Sequence, residues 1–352
     1  MLFKDKTILI TGGTGSLGKV LLRRLLKGDQ GQPKRIVVFS RDEAKQNDLR
    51  LEYQHGKAST DEVIYRNFME TLVFRIGDVR DYAAVCSALH GIDIVFNAAA
   101  LKQVPTCEYF PFEAVQTNIV GPENIVRAIR DLRLPVETVV GVSTDKAVKP
   151  VNVMGMTKAL QERVFLRANL EVPQTRFVAV RYGNVLASRG SVIPLFHEQI
   201  RKGGPLTITH TEMTRFLLSL DEAVDTIFAA VGSGRRGETY IPRVPAARIT
   251  DLAAALIGSR PLKTVVTGIR PGEKLHEILI SEDEAHRTLR RGDYYVVGPI
   301  LPELAAEKPD GSLQREYSSA DDLMSRSELE AMLARRRLLD PDDVAEEREL
   351  LR

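Results

Sequence analysis

Thr7-Ile8-Leu9-Ile10-Thr11-Gly12-Gly13-Thr14-Gly15-Ser16-Leu17-Gly18 carries an apolar run straight into a glycine-rich turn. Gly12, Gly15 and Gly18 stand at G-x-x-G-x-x-G spacing, and Leu17 to Leu26 has the apolar period of an amphipathic helix. Each glycine answers a physical need: a tight turn, close approach of backbone to a pyrophosphate, and close packing of helix on sheet. The helix N-terminus, with Thr14, Ser16 and Leu17 beside it, then faces phosphate charge. Glycine spacing alone is common in strand-to-helix turns for steric reasons. A strand before it and a helix after it make this one a dinucleotide site.

Working outward, Arg35–Phe39, Leu72–Ile76, Ile92–Phe96 and Thr138–Val142 are further apolar runs without in/out alternation. Such runs suit strands buried on both faces of a parallel sheet. Helical stretches such as Asp81–Leu89 lie between them, so the series predicts an α/β, Rossmann-like doubly wound parallel sheet. After Arg181 the pattern is less regular, and Ser188–Ser191 and Lys202–Pro205 read as loops. Helices are expected again at Leu220–Val231 and around Glu273–Ile280. The division expected is a dinucleotide-binding domain over 1–181 and a smaller C-terminal substrate lobe over 182–300, with some segments returning to the first domain. A tail over 301–352 reads as partly helical and peripheral, its helix running from about Ser325.

The second strand ends Ser40-Arg41-Asp42, where an acid usually meets a free ribose 2′-hydroxyl. A hydroxyl and a guanidinium suit a 2′-phosphate better, so NADP is favoured over NAD, with Asp42 as the residue that would serve NAD. Asp78 and Val79, after the third strand, fall where a carboxylate would approach the adenine; Asp78 also reads as a cap for the helix beginning near Asp81. Ala98, Ala99 and Ala100, after the fourth strand, are small enough for backbone to pass a cofactor.

Composition narrows the partners. Among 352 residues, 49 Lys and Arg against 47 Asp and Glu leave a formal charge of +2, which offers no electrostatic footprint for nucleic acid or an anionic membrane. Cys86 and Cys107 form no CxxC or Cys/His cluster, which fits a reducing compartment. The adjacent His276 and Glu277 face different ways and read as helix-surface residues, not a metal pair. No signal peptide or run of about 18 apolar residues is evident, so a soluble, cytoplasmic protein without metal is expected. A closed homo-oligomer is the usual expectation for a chain of this kind.

Six strings resemble one family closely: Ser40-Arg41-Asp42-Glu43, Ala98-Ala99-Ala100-Leu101-Lys102, Ser143-Thr144-Asp145-Lys146-Ala147, Arg181-Tyr182-Gly183-Asn184-Val185, Ser188-Arg189-Gly190-Ser191-Val192 and Arg270-Pro271-Gly272-Glu273-Lys274. They are similar to the CapD-like polysaccharide-biosynthesis branch of the extended short-chain dehydrogenase/reductases, the UDP-N-acetylglucosamine 4,6-dehydratases, in a short soluble form. That resemblance implies a tightly bound nicotinamide dinucleotide and a UDP-sugar, with UDP-N-acetylglucosamine the expected one. The implied chemistry oxidises C4, eliminates water across C5 and C6, and returns hydride to C6, supplying surface-glycan or nonulosonic-acid precursors.

By the same resemblance Asp145 is the acid, Lys146 the base and Thr144 a sugar-positioning residue. The acid role requires a dry site that keeps a carboxyl protonated. Lys158 matches the lysine of the Tyr-x-x-x-Lys pair, holding the nicotinamide ribose. Met154 stands where the superfamily has its catalytic tyrosine, and a thioether can neither give nor take a proton. The C4 proton acceptor is then Thr144, Asp145 or an ordered water. Asn118 resembles the asparagine that organises the active-site helix beside the cofactor, and Pro122 implies a break soon after it. Asn184 and Arg189 are nominated for the diphosphate, Arg215 and Glu273 for the nucleoside, with Arg270 beside them and Lys102 toward the sugar. Two other readings remain: a 4-epimerase or ketoreductase of the same superfamily, and a non-catalytic dinucleotide-binding protein.

Overall fold

The computed structural model describes residues 1–54, 68–186, 192–305 and 312–340. Six parallel strands form the heart of the molecule: β1 (Thr7–Thr11), β2 (Arg35–Ser40), β3 (Leu72–Ile76), β4 (Ile94–Asn97), β5 (Thr138–Thr144) and β6 (Arg176–Tyr182). Their order is β3-β2-β1-β4-β5-β6, and beyond β6 the sheet continues through Thr239–Pro242 to the antiparallel hairpin of Tyr294–Val297 and Thr288–Arg291. This is the α/β doubly wound sheet that the apolar runs predict. Chain direction across the sheet reverses between β1 and β4, which pair in register from Ile8 with Ile94. Ligands of such sheets bind in the crevice beyond the carboxyl ends of the strands at that switch.

Helices cover both faces. On one side, α1 (Ser16–Lys27) and the helix Leu220–Ser233 pack Leu21, Leu25, Val224 and Ile227 onto Ile8, Ile10, Val140 and Val178. On the other, the helices Tyr82–Ala88, Gly121–Asp131 and Val153–Glu171 pack Val85, Ile125, Ile129 and Phe165 onto Leu9, Val95, Val139 and Phe177. β1 and β4 are therefore buried throughout. β3 is not: it is the outer strand, with Val73 and Ile76 exposed, because a sheet edge has a neighbour on one side only.

A second core gathers Ile193, Phe196, Leu206, Ile208, Leu252 and Leu256 into the smaller lobe. Two expectations change here. The helix expected around Glu273–Ile280 is a turn followed by the strand Ile278–Ile280, which pairs with Tyr317–Ser318. Gly272 turns the chain at φ +80°, and the carbonyls of Lys274 and Leu275 accept from the Arg215 guanidinium, so these carbonyls are satisfied without a helix. The tail helix, Arg326–Arg335, is present, begun by a capping box between Ser325 and Glu328. It is not peripheral, since Leu329, Met332 and Leu333 are buried in the lobe core. Leu333→Ala is therefore expected to cost about 2–5 kcal/mol of unfolding free energy, read by urea titration; a loss below about 0.5 kcal/mol would mark the helix as an appendage.

Among the described residues, no helix is long and apolar enough to cross a membrane, and no group of three or more His, Cys, Asp and Glu is placed to hold a metal ion.

Candidate active site

The glycine turn lies against the turn after β4. Gly12 adopts φ +67°, and a Cβ there would sit 2.8 Å from the backbone of Ala99, so a side chain would force the two turns apart. A Cβ on Gly18 would meet Gly13 at 2.5 Å, which is the close helix-on-turn packing expected of the third glycine. The Thr11 hydroxyl links the turns, donating to Asn97 Oδ1 at 2.9 Å and accepting from the Ala99 amide at 3.2 Å. Gly15 caps α1 with no side chain in the way, and the first turn of α1 carries no acidic residue to repel a phosphate. Asn97 Nδ2 is buried there without a hydrogen-bond partner. A backbone cradle, a helix N-terminus and an unspent donor fit a dinucleotide pyrophosphate.

At the end of β2, Ser40 is buried and its hydroxyl accepts from Gln46 Nε2 at 3.0 Å. Arg41 is half-exposed, 3.7 Å from Asp78. Asp42 turns to its own helix, accepting from the Lys45 amide and pairing with its ammonium. The cap near Asp81 is Asp81 itself, which accepts from the amides of Ala83 and Ala84. Asp78 instead receives Arg80; burial pushes its carboxyl up, but the Arg80 bonds and the Arg80 and Arg41 charges win and hold it below the usual range. Val79 is buried, packed against Gly121.

Beyond the strand ends opens a cleft of 420 Å³, a size suited to a small-molecule ligand. The sheet domain lines it with Ser16, Leu17, Ala98, Ala100, Lys102, Thr144, Lys146, Met154, Lys158 and Asn184, and the smaller lobe with Arg215, Arg270 and Glu273. Gly12, Thr14, Gly15, Gly18, Ala99, Ser40, Arg41, Asp78, Val79, Asn118 and Asp145 do not form its wall. Arg189 lies outside the described residues.

Met154 and Lys158 share one face of the helix Val153–Glu171, as a four-residue spacing requires. Asn152 caps that helix, accepting from the Gly155 amide and donating to the Gly272 carbonyl in the other lobe. Gly155 has no room for a side chain, because a Cβ would collide with the Lys146 carbonyl. That contact sets the turn Asp145–Ala147 on the helix. Met154 packs on Cys107 and Ala114. The Lys158 ammonium reaches Gln161 Oε1 at 2.7 Å, and burial pushes it down to about 8, with Glu162 opposing. Asn118 is fully buried within a wide π-type turn, Gln116–Val120, that precedes Pro122. Its amide bridges both backbone groups of Leu101 to the Thr157 hydroxyl, joining the loop of Lys102 to the active-site helix.

Asp145 is only 1% exposed. Its Oδ1 accepts from the Thr144 hydroxyl at 2.8 Å and from Lys146 Nζ at 3.1 Å, while Oδ2 is buried with no partner. Lys146 Nζ also donates to Asn184 Oδ1 at 3.2 Å and lies 3.4 Å from Glu277 Oε1. Burial alone would push that ammonium down, but Asp145 and Glu277 hold it above the ordinary lysine value. Glu277 is the residue the sequence reading misplaced. It is buried at 2% exposure, inside the charge cluster and not on a helix surface. Its neighbour His276 bonds the Thr214 hydroxyl through Nδ1. Arg215 is likewise buried, spending its guanidinium on the carbonyls of Thr214, Lys274 and Leu275, with Glu277 at 3.8 Å.

The polysaccharide biosynthesis protein family model matches residues 8–299. The UDP-glucose 4-epimerase of Rickettsia typhi is 46% identical over 300 residues, covering 84% of this chain and 83% of that protein, and the enzyme of the same name from Rickettsia canadensis matches equally. Among solved structures, Pen from Bacillus thuringiensis is similar with a TM-score of 0.84 and 36% identity, over 96% of this chain and 100% of that one. DesIV, a dTDP-glucose 4,6-dehydratase from Streptomyces venezuelae, shares the fold with a TM-score of 0.63 at 21% identity, over 76% of this chain and 86% of that one. The curated relatives thus carry an epimerase name where the sequence strings point first to a dehydratase. The chain belongs to the polysaccharide biosynthesis protein family and shares with these structures the α/β, Rossmann-like doubly wound sheet with a smaller C-terminal lobe.

Proposed function

We propose that the protein is a UDP-N-acetylglucosamine 4,6-dehydratase producing a 4-keto-6-deoxy sugar nucleotide for surface-glycan or nonulosonic-acid synthesis. One observation carries this reading: the buried Asp145 pairs at 3.1 Å with Lys146, which lines the cleft, and Met154 lines the same cleft from the helix Val153–Glu171. The dinucleotide, when bound, supplies acceptance of hydride from C4 and its return to C6. The remaining work is proton handling. Thr144, bonded to Asp145, orients the C4 hydroxyl and passes its proton to the Asp145 carboxylate. Asp145, now a carboxylic acid, gives that proton to the C6 hydroxyl as the C6–O bond breaks and water leaves. Lys146, an ammonium in the substrate-free site, first releases a proton to solvent, then as a free amine takes the C5 proton that the 4-ketone has acidified and later returns it. Protons and electrons balance, and the net change is loss of one water.

Lys158 adds positive potential and holds the nicotinamide ribose, and Asn118 keeps its helix in place. Lys102, Asn184, Arg189, Arg215, Arg270 and Glu273 grip the UDP-sugar, with Asn184 and Arg189 toward the diphosphate. Ser40 and Arg41 support NADP, since Asp42 is occupied by Lys45.

The second reading is a UDP-sugar 4-epimerase. The name of the 46%-identical relatives favours it. It needs C4 redox chemistry but no departure of the C6 hydroxyl. Incubation with UDP-N-acetylglucosamine and with UDP-glucose separates the two by mass spectrometry. A product lighter by one water is expected from the first; unchanged mass with inverted C4 would replace the dehydratase by the epimerase. The dinucleotide released on denaturing the same sample is expected to carry a 2′-phosphate, and NAD alone would overturn the NADP assignment.

A further inference from the structure

Lys146 Nζ meets groups from three separate elements: it donates to Asp145 Oδ1 on its own turn and to Asn184 Oδ1 after β6, and it pairs with the Glu277 carboxylate of the smaller lobe at 3.4 Å. Two carboxylates within 3.4 Å of this nitrogen favour its charged form. Glu277 is held for the purpose by its backbone, whose amide donates to Ser319 Oγ at 2.9 Å and whose carbonyl accepts from the Ser319 amide at 2.8 Å. Its second oxygen, Oε2, is buried without a hydrogen-bond partner, as is Asp145 Oδ2. A buried carboxylate so poorly solvated is costly unless a nearby cation offsets it. The cations facing it are Lys146 at 3.4 Å and Arg215 at 3.8 Å, with Lys274 interacting with it over a longer range. Arg215 is already committed to three backbone carbonyls.

We propose that Glu277 is a positioning residue of the acid–base couple, whose carboxylate holds Lys146 as an ammonium in the substrate-free protein and so sets how readily that lysine becomes a base. The inference rests on the dehydratase reading for its meaning, because only there must Lys146 accept the C5 proton. It also makes the couple a joint product of both lobes. Asp145 and Asn184 come from the sheet domain and Glu277 from the smaller lobe, so displacing that lobe would loosen the lysine proton.

The test is competitive acetylation of the full-length protein with trace acetic anhydride across pH, reading Lys146 by peptide mass spectrometry against the exposed Lys202. In the wild type Lys146 is expected to become reactive at higher pH than Lys202; reactivity at lower pH overturns the proposal, whatever the variants do. Glu277→Gln should move the Lys146 midpoint down by about one pH unit, whereas Glu277→Asp, which keeps the charge, should leave it within about half a unit. No fall in Glu277→Gln, or an equal fall in both variants, also overturns it. The readout needs no turnover. If no UDP-sugar loses water but the midpoint falls as described, the dehydratase reading fails and the charge coupling stands.

Discussion

An Asp145→Asn protein is expected to fold, to retain its dinucleotide, and to turn over its UDP-sugar about a thousandfold more slowly than wild type. The side chain is 1% exposed and packed into a turn that also meets Gly155, so an isosteric amide preserves volume. Its carbonyl oxygen still accepts from Thr144 and Lys146, and both bonds survive in number. What is lost is a group able to receive the C4 proton and hand it to the departing C6 hydroxyl. Positioned acid–base groups contribute roughly 10²–10⁴-fold, and this one would serve two transfers. Single-turnover rates, with the dinucleotide content measured on the same sample, give the answer. A loss below about tenfold with cofactor intact would remove Asp145 from the acid role.

Lys158→Met carries the second large effect, with an unusual signature. Methionine fills the lysine stem at a site that is 5% exposed, and it brings no charge into the core. Activity is expected to fall about a hundredfold, because a fixed positive charge next to the reacting cofactor acts strongly in a water-poor site. Stability should move the other way. Burial holds the Lys158 ammonium at about 8, below its ordinary 10.5. A lysine depressed on folding binds fewer protons in the folded than in the unfolded chain between those values, so its penalty is fully present below about pH 8 and is relieved as pH rises toward 10.5. Removing it should therefore raise the unfolding free energy at pH 7 by up to about 3 kcal/mol, and the gain should shrink above pH 8. Denaturant melts at pH 7 and pH 9.5 check the sign. A variant that is both slower and less stable at pH 7 would mean that Lys158 serves packing and not charge.

The same residue shows how far local pattern reached. Met154 and Lys158 are four apart on a helix, and that spacing alone puts them on one wall of the cleft. The glycine turn was equally legible, since a strand, three spaced glycines and an amphipathic helix are neighbours along the chain. The 273–280 segment was not. Its residues have acceptable helix propensity, but Arg215 claims the carbonyls of Lys274 and Leu275 and Ser318 pairs with Ile278, partners that lie far off in sequence. Glu277 followed the same error: read on a helix it faces water, and placed on the extended segment it is buried against Lys146. The apolar residues of Arg326–Arg335 announced a helix correctly but not its burial, because the surface that covers them belongs to the helices Val192–Arg201 and Ile249–Ile257.

Strand periodicity, glycine spacing and the Thr144-Asp145-Lys146 string sufficed for the sheet, the glycine turn and the place of Asp145 and Lys146 after β5, because each depends on residues within a few positions of one another. The charged surroundings of Lys146 depended on folding. Two hydrogen-bond acceptors and a paired carboxylate from two lobes converge on one nitrogen, and electrostatic energy inside a poorly hydrated cleft depends on distances in space that no linear spacing encodes.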